Sequence, residues 1–189
     1  MRWQQLFEDL QSQFEAEEVA LERAESASRT RAAVGAIHLS ERLAGAHGLP
    51  LVLTVRGAGH VAGTLVDQGV DWLLLEDGQG REQLVALDAV RAVGGLGRRT
   101  APAEPAGTVQ GRLDVRWALR GLARDRSVVQ VVLDDGSTLT GTLDRVGADF
   151  VELAEHPGDA PRRSESVRGV RAVVIGAVAV VRTALPGLA

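Results

Sequence analysis

The chain has 189 residues, 45% of them hydrophobic and 24% charged, with a formal net charge of −4. Those values describe one or two compact soluble domains and exclude both a disordered tail and a global basic field that would draw the chain to nucleic acid. Cysteine is absent, which excludes disulfides and thiolate chemistry and fits a reducing cytoplasm.

Residues 1–48 read as helix. Trp3, Phe7, Leu10, Phe14, Leu21 and Ala24 recur at three- and four-residue steps and make one apolar stripe, interrupted by Glu17. Glu8, Asp9, Glu15, Glu17, Glu18, Glu22 and Glu25 crowd its first half, and acids there suit a helix N-terminus. An acidic, amphipathic start is not a signal peptide, which begins basic and continues apolar. The register shifts near Ala33-Val34-Gly35, where a bend or a second helix is expected, and Gly48-Leu49-Pro50 stops the helix. A helix of that length reaches roughly 65 Å. The aromatics at its tip need a partner, either this chain, a second copy or another protein.

Residues 49–95 read as a first β unit. "LVLTV", "HVAGTLV", "DWLLLED", "EQLVAL" and "VRAVGG" are short strand-like runs separated by Gly, Asp and Gln turns. Residues 96–111 are rich in Pro, Ala and Gly and read as a linker. Residues 112–126 read as a second helix. Residues 127–189 repeat the β pattern, with "VVQVVL", "STLTGTLDRV", "DFVELAE", "GVRAVVI" and "AVAVVRT", and Asp135-Gly136 is a hairpin signal. The apolar run Ala172–Val181 is only ten residues long between Arg171 and Arg182. A membrane-spanning helix needs about twenty, so the run reads as strand.

The two β units align. Residues 55–75 match 133–153 at an offset of 78 (141 − 63), with Gly63/Gly141, Thr64/Thr142, Leu65/Leu143, Gly69/Gly147, Asp71/Asp149 and Leu75/Leu153 identical and Trp72 opposite Phe150. Residues 84–93 match 172–181 at an offset of 88 (172 − 84). The extra residues of the second copy fall around "EHPGDAPRRS", a loop, where a duplication tolerates insertion. Gly63 and Gly141 lie inside strands, where Gly marks a sharp bend or a close backbone approach. A small barrel needs such a bend to close. The expected fold is therefore mainly β with α: a long N-terminal helix, then two small SH3-like β-barrels related by internal duplication.

"LDDGSTLTGTLDRVGADFVEL" (133–153) and, more loosely, "VRGAGHVAGTLVDQGVDWLLL" (55–75) resemble the first motif of the Sm-like (LSm) superfamily. Its second motif is similar to "VRGVRAVVI" (167–175), whereas the internal repeat puts "IGAVAVV" (175–181) at the equivalent bend. The resemblance covers about 110 residues in two copies and implies Sm-like barrels. It also implies rings of six or seven units, which a tandem chain would mimic by trimerising, or a pseudo-dimer closed on itself. Typical members hold RNA with an Asn after the first motif. The matching positions are Leu73 and Val151, both apolar, so the usual base-reading pocket is expected to be missing. The opening "RWQQLFEDL" resembles that of short actinobacterial proteins, some labelled Fis-family regulators. This chain ends in strand pattern rather than helix-turn-helix, so that label is not adopted. All 21 basic residues are Arg, Lys, Asn and Tyr are absent, and Ile occurs only at Ile37 and Ile175. Codon bias in a GC-rich genome, such as an actinobacterium's, produces these losses.

The candidate functional residues are mostly arginines. Arg112, Arg116, Arg120 and Arg124 recur every four residues on the second helix, with Arg98 and Arg99 nearby. Such a strip can hold phosphates of RNA or DNA. It can equally meet an acidic partner, including the acidic N-terminal helix, or be a solvated face with Leu113, Trp117 and Leu122 packed beneath. Trp117 reads as a core anchor rather than a stacking platform. Candidate partner-helix contacts are Trp3, Phe7, Leu10 and Phe14. The four histidines lack metal spacing, and no P-loop, Gly-x-Ser-x-Gly or His-Glu-x-x-His motif occurs. "GQG" and "GGLG" read as turns, and the recurring Asp71 and Asp149 read as turn caps. No enzyme, cofactor or metal is expected. The function expected is a scaffold or adaptor that binds protein partners or itself; the alternative is an RNA- or DNA-binding regulator.

Overall fold

The structure is a computed structural model that describes residues 2–101, 113–157 and 167–183, and within the first helix it leaves undescribed the side chains of residues 2–10, 12, 15 and 16. The chain divides into two compact units, residues 1–39 and 40–189. The first unit is essentially one helix, α1 (Arg2–Gly35), 34 residues long. At 1.5 Å per residue it spans roughly 50 Å. Its described side chains are all exposed, Phe14 among them. The expected helix over 1–48 thus ends early. Gly35 stops it, and the N–H groups of Ala36 and Ile37 close the last turn on the carbonyls of Ala33 and Val34. A six-residue helix, α2 (Leu39–Ala44), follows.

The second unit is built on strands β1 (Pro50–Val55), β2 (Gly59–Gln68), β3 (Trp72–Glu76), β4 (Glu82–Ala86) and β5 (Val90–Gly94). A helix, α3 (Val115–Asp125), separates them from β6 (Val128–Leu133), β7 (Thr138–Val146), β8 (Phe150–Glu155), β9 (Gly169–Val174) and β10 (Val178–Thr183). All ten join one antiparallel sheet in the order β5-β1-β2-β3-β4-β10-β6-β7-β8-β9. The two halves carry the same internal order, with the fifth strand of each set beside its first.

Local features also recur at the offsets read from the sequence. The register shifts between Leu65 and Asp67 on β2 and between Leu143 and Arg145 on β7. A 3₁₀ turn follows β4 at Leu87–Ala89 and β9 at Ile175–Ala177. The N–H of Gly69 meets the carbonyl of Trp72, and that of Gly147 meets the carbonyl of Phe150. Each half has its own apolar cluster. Leu51, Leu53, Val61, Leu65 and Leu75 build the first; Val129, Val131, Leu143, Val151 and Leu153 build the second.

The halves join where β4 pairs with β10, in the register Val85↔Val180, Leu84↔Val181, Gln83↔Arg182. The clusters cross over there. Val132, Ala179 and Val180 pack into the first, while Trp72 and Leu84 pack into the second. Polar groups hold the register as well. Arg182 donates from Nε to Gln83 Oε1 at 3.2 Å and from Nη1 to Gln130 Oε1 at 3.3 Å, and Gln83 Nε2 donates to the Ala62 carbonyl at 3.1 Å. The buried Gln83 side chain therefore has partners for both its oxygen and its nitrogen. Strands near the junction bury nearly continuous runs, as in β10, whereas the end strands β5 and β9 are mostly exposed.

Candidate interaction surfaces

Helix α3 has a built N-terminus. The Asp114 carboxylate accepts the N–H of Trp117 at 2.9 Å, as an N-cap does. The Asp71 carboxylate, from the loop before β3, accepts the N–H of Val115 at 2.7 Å. Two orphan donors of the helix are thus satisfied, one of them by the other half of the sheet. The helix ends at Arg126, which takes the left-handed conformation at φ 52°. Val115 and Leu119 are the residues it buries, into the second apolar cluster.

Asp71 was expected to cap a turn, together with Asp149. What recurs is a backbone bond: the carbonyls of Asp71 and Asp149 accept the N–H groups of Leu87 and Ile175, each at 2.8 Å. The Asp71 side chain does the separate job of capping α3. Burial raises its pKa above the ordinary 3.8, and the Val115 N–H opposes that shift. At Asp114 burial also pushes upward, but the Arg116 guanidinium and the Trp117 N–H hold the carboxyl below its ordinary value.

A raised folded pKa means that the Asp71 contribution is fully favourable below about pH 3.8 and is lost as pH rises through the folded value. At neutral pH the half-buried charge costs stability. Asp71→Asn keeps an oxygen acceptor for Val115 and removes the charge. Its stability at pH 7 is expected to equal or exceed that of the natural chain, with the advantage fading as pH falls to 4. Asp71→Ala loses the acceptor and should cost about 1 kcal/mol at pH 7. Urea unfolding of the three proteins at both pH values checks this; an Asn variant as weak as the Ala variant contradicts it.

The predicted arginine strip is divided. Arg116, Arg120 and Arg124 are exposed along α3. Arg116 is engaged with Asp114, its Nε 2.6 Å from Oδ2, and reaches the Ala148 carbonyl at 3.3 Å. Arg98 and Arg99 lie in a different place, on a segment running beside α2. There Arg42 donates to the Gly97 carbonyl at 2.5 Å, and the Ala101 N–H meets the Glu41 carbonyl at 3.0 Å. Arg112 lies outside the described residues. Leu73 and Val151, the positions matched to an RNA-holding Asn, are each 1% exposed and lie in the two apolar clusters. Of the candidate helix contacts, Phe14 is exposed on α1. Trp3, Phe7 and Leu10 lie on the same helix, with side chains outside the described set.

Trp117 corrects the sequence reading. It is not a buried anchor but 49% exposed. It lines a cleft of about 270 Å³ between α3 and the junction strands. The anchoring indole is Trp72, 2% exposed, whose Nε1 donates to the Leu113 carbonyl at 3.0 Å. Leu113 and Leu122 are half-buried as expected. The counterpart of Trp72 in the repeat, Phe150, is 37% exposed. Near it, at the β9 end of the sheet, Val170 and Val174 are 60% and 61% exposed.

His38, His47 and His60 are exposed. His156 is buried, a feature invisible in the sequence. Its Nδ1 lies 2.9 Å from the Pro157 carbonyl and its Nε2 lies 2.8 Å from Thr142 Oγ1. A carbonyl only accepts, so Nδ1 donates to Pro157, while Nε2 shares a hydrogen bond with the Thr142 hydroxyl, and the ring has a structural role. Among the described residues no cluster of His, Asp or Glu suits a metal ion, and no helix is long and apolar enough to cross a membrane. Compared with protein-family models and with curated proteins, the chain has no match.

Proposed function

We propose that this chain is a non-enzymatic scaffold: two Sm-like barrels, made by internal duplication, that join further copies through the sheet ends and display α1 to protein partners. Duplication is supported by the sequence match together with the shared strand order, bulges and 3₁₀ turns. A cytoplasmic setting is part of the same reading.

One observation carries self-association. At the junction a fourth strand, β4, pairs with a fifth strand, β10. The sheet ends on the other two strands of those kinds, β5 and β9. Among the described residues each end is an unpaired edge, and unpaired edges template further pairing. Copies joined β9 to β5 would repeat the junction. Carrying its register over by 88 residues (173 − 85, 180 − 92) opposes Val173 with Ala92, Ala172 with Val93 and Arg171 with Gly94. Such a head-to-tail contact closes as a ring or continues as a filament. Light scattering on the full chain tests it. The expected mass is a multiple of 20.0 kDa, and a 20.0 kDa particle at every concentration overturns it.

The second reading, nucleic-acid binding, keeps the exposed row Arg116, Arg120 and Arg124. Fluorescence anisotropy with single-stranded RNA and duplex DNA separates the two. The scaffold reading expects no saturable binding at physiological salt. Binding that falls steeply with salt and disappears when the three arginines are changed to Ala would replace it.

A further inference from the structure

The α3 cleft has a defined chemistry. Trp72, Leu74, Leu84, Leu122 and Val181 give it an apolar floor, and the half-exposed Trp117 indole forms one side. Three carboxylate residues line it, Asp67 from β2, Glu82 from β4 and Asp125 from α3, all exposed. Among the described lining residues none is an arginine or a histidine. Asp67 Oδ1 accepts its neighbour's N–H, that of Gln68, at 2.8 Å. Among the described residues none of the three carboxylates has an ion-pair partner. Thr183 Oγ1 and the Glu82 backbone bond each other at the edge of the cleft, at 3.2 and 3.3 Å, which ties the two junction strands together there.

We propose that this cleft receives an arginine side chain from a basic segment of a partner protein. An anion is repelled by three acids. A purely apolar group would fill the floor and desolvate the carboxylates without pairing them. A guanidinium satisfies both parts: it stacks flat on an indole and offers forked donors to carboxylates, while its methylene stem lies on the apolar floor. The volume of about 270 Å³ lies below the usual range for drug-sized ligands and suits one long side chain. Helix geometry makes the site separate from the arginine row. Trp117, Gly121 and Asp125 form one four-residue stripe and Arg116, Arg120 and Arg124 the adjacent one, about 100° around the helix.

The chain has only three tryptophans, so the indole N–H region of a ¹⁵N–¹H spectrum holds three signals, and Trp117→Phe identifies one of them. The full-length protein is titrated with the peptide acetyl-Gly-Leu-Arg-Leu-Gly-amide, with its Gln analogue in place of Arg, and with agmatine, a free guanidinium. The Arg peptide is expected to move the Trp117 signal saturably, with a Kd of about 1 mM or tighter. The Gln analogue and the Glu82→Gln/Asp125→Asn double variant should each bind about tenfold more weakly, and added salt should weaken the Arg peptide. These positions are exposed, so an unchanged dispersion of the backbone amide signals confirms that the variant is folded. No Trp117 shift, or equal binding by the Gln peptide or by the double variant, overturns the proposal. Agmatine binding as tightly as the peptide overturns it too, by assigning the cleft to free cations.

Discussion

A chain carrying Ala172→Lys and Val174→Lys is expected to run as a 20.0 kDa monomer under conditions where the natural chain associates. Both residues are exposed on β9, so the single chain should lose little stability, within about 0.5 kcal/mol. Lysine on an edge strand is also a common guard against pairing. In the assembly the same positions matter far more. Ala172 corresponds to Leu84, which is 5% exposed at the junction and packed in the second apolar cluster (172 − 84 = 88). A lysine there would be buried without a partner, and association should weaken about 100-fold, or ~2.8 kcal/mol. Register is tested separately, because the chain has no cysteine of its own. Val93→Cys with Ala172→Cys should yield a covalent ladder of copies on mild oxidation. Arg91→Cys with Ala172→Cys, two residues out of register, should not, since diagonal neighbours lie roughly 7 Å apart. A Lys variant that still associates, or a ladder only from the shifted pair, removes the β9–β5 interface.

Gly141→Ala is expected to be the most damaging methyl that can be added to the sheet. A Cβ at Gly141 would stand 2.0 Å from the Ala154 carbonyl oxygen and 3.1 Å from Glu155 Cα. Both are backbone atoms of the neighbouring strand β8, so no rotamer change relieves the contact. Overpacking of this kind costs about 3 kcal/mol, a large share of a total stability on the order of 5–15 kcal/mol. The equivalent Gly63→Ala meets the Glu76 carbonyl oxygen at 2.7 Å and Leu75 Cβ at 3.1 Å, so its loss should be smaller. Urea unfolding should give a lower midpoint for both, in that order, with the slope unchanged. A Gly141→Ala midpoint within error of the natural chain would mean that β7 and β8 do not approach as closely as the structure has them.

The long α1, the strand runs, the in-strand glycines and the two offsets of the repeat were legible in the sequence. Each rests on local order: helical spacing, alternation, Gly at a close approach. Leu73 and Val151, read from the sequence as apolar positions, are buried, because an apolar residue in a strand is covered by its own sheet.

What the tertiary structure decided is everything that depends on which surfaces meet. β4 and β10 are about 95 residues apart (180 − 85), and no local pattern names that pairing. The pairing sets the contrast between Trp72, sealed at the junction, and its repeat partner Phe150, left open at the free end. It also builds the cleft, because α3 stands over strands of both halves. Trp117 was read as a core anchor since a large aromatic on an amphipathic helix usually faces inward. Val115 and Leu119 fill that role instead, and Trp117 is left on the flank beside the acids. Arg98 and Arg99 were grouped with the helical arginine row because nearness in sequence was all that could be counted. The fold carries Arg98 and Arg99 to α2 and leaves Arg116, Arg120 and Arg124 on α3. Local sequence determines the strands and helices of this protein. Non-local pairing of sheet edges decides which of their faces are core, which are joints, and which remain available to a partner.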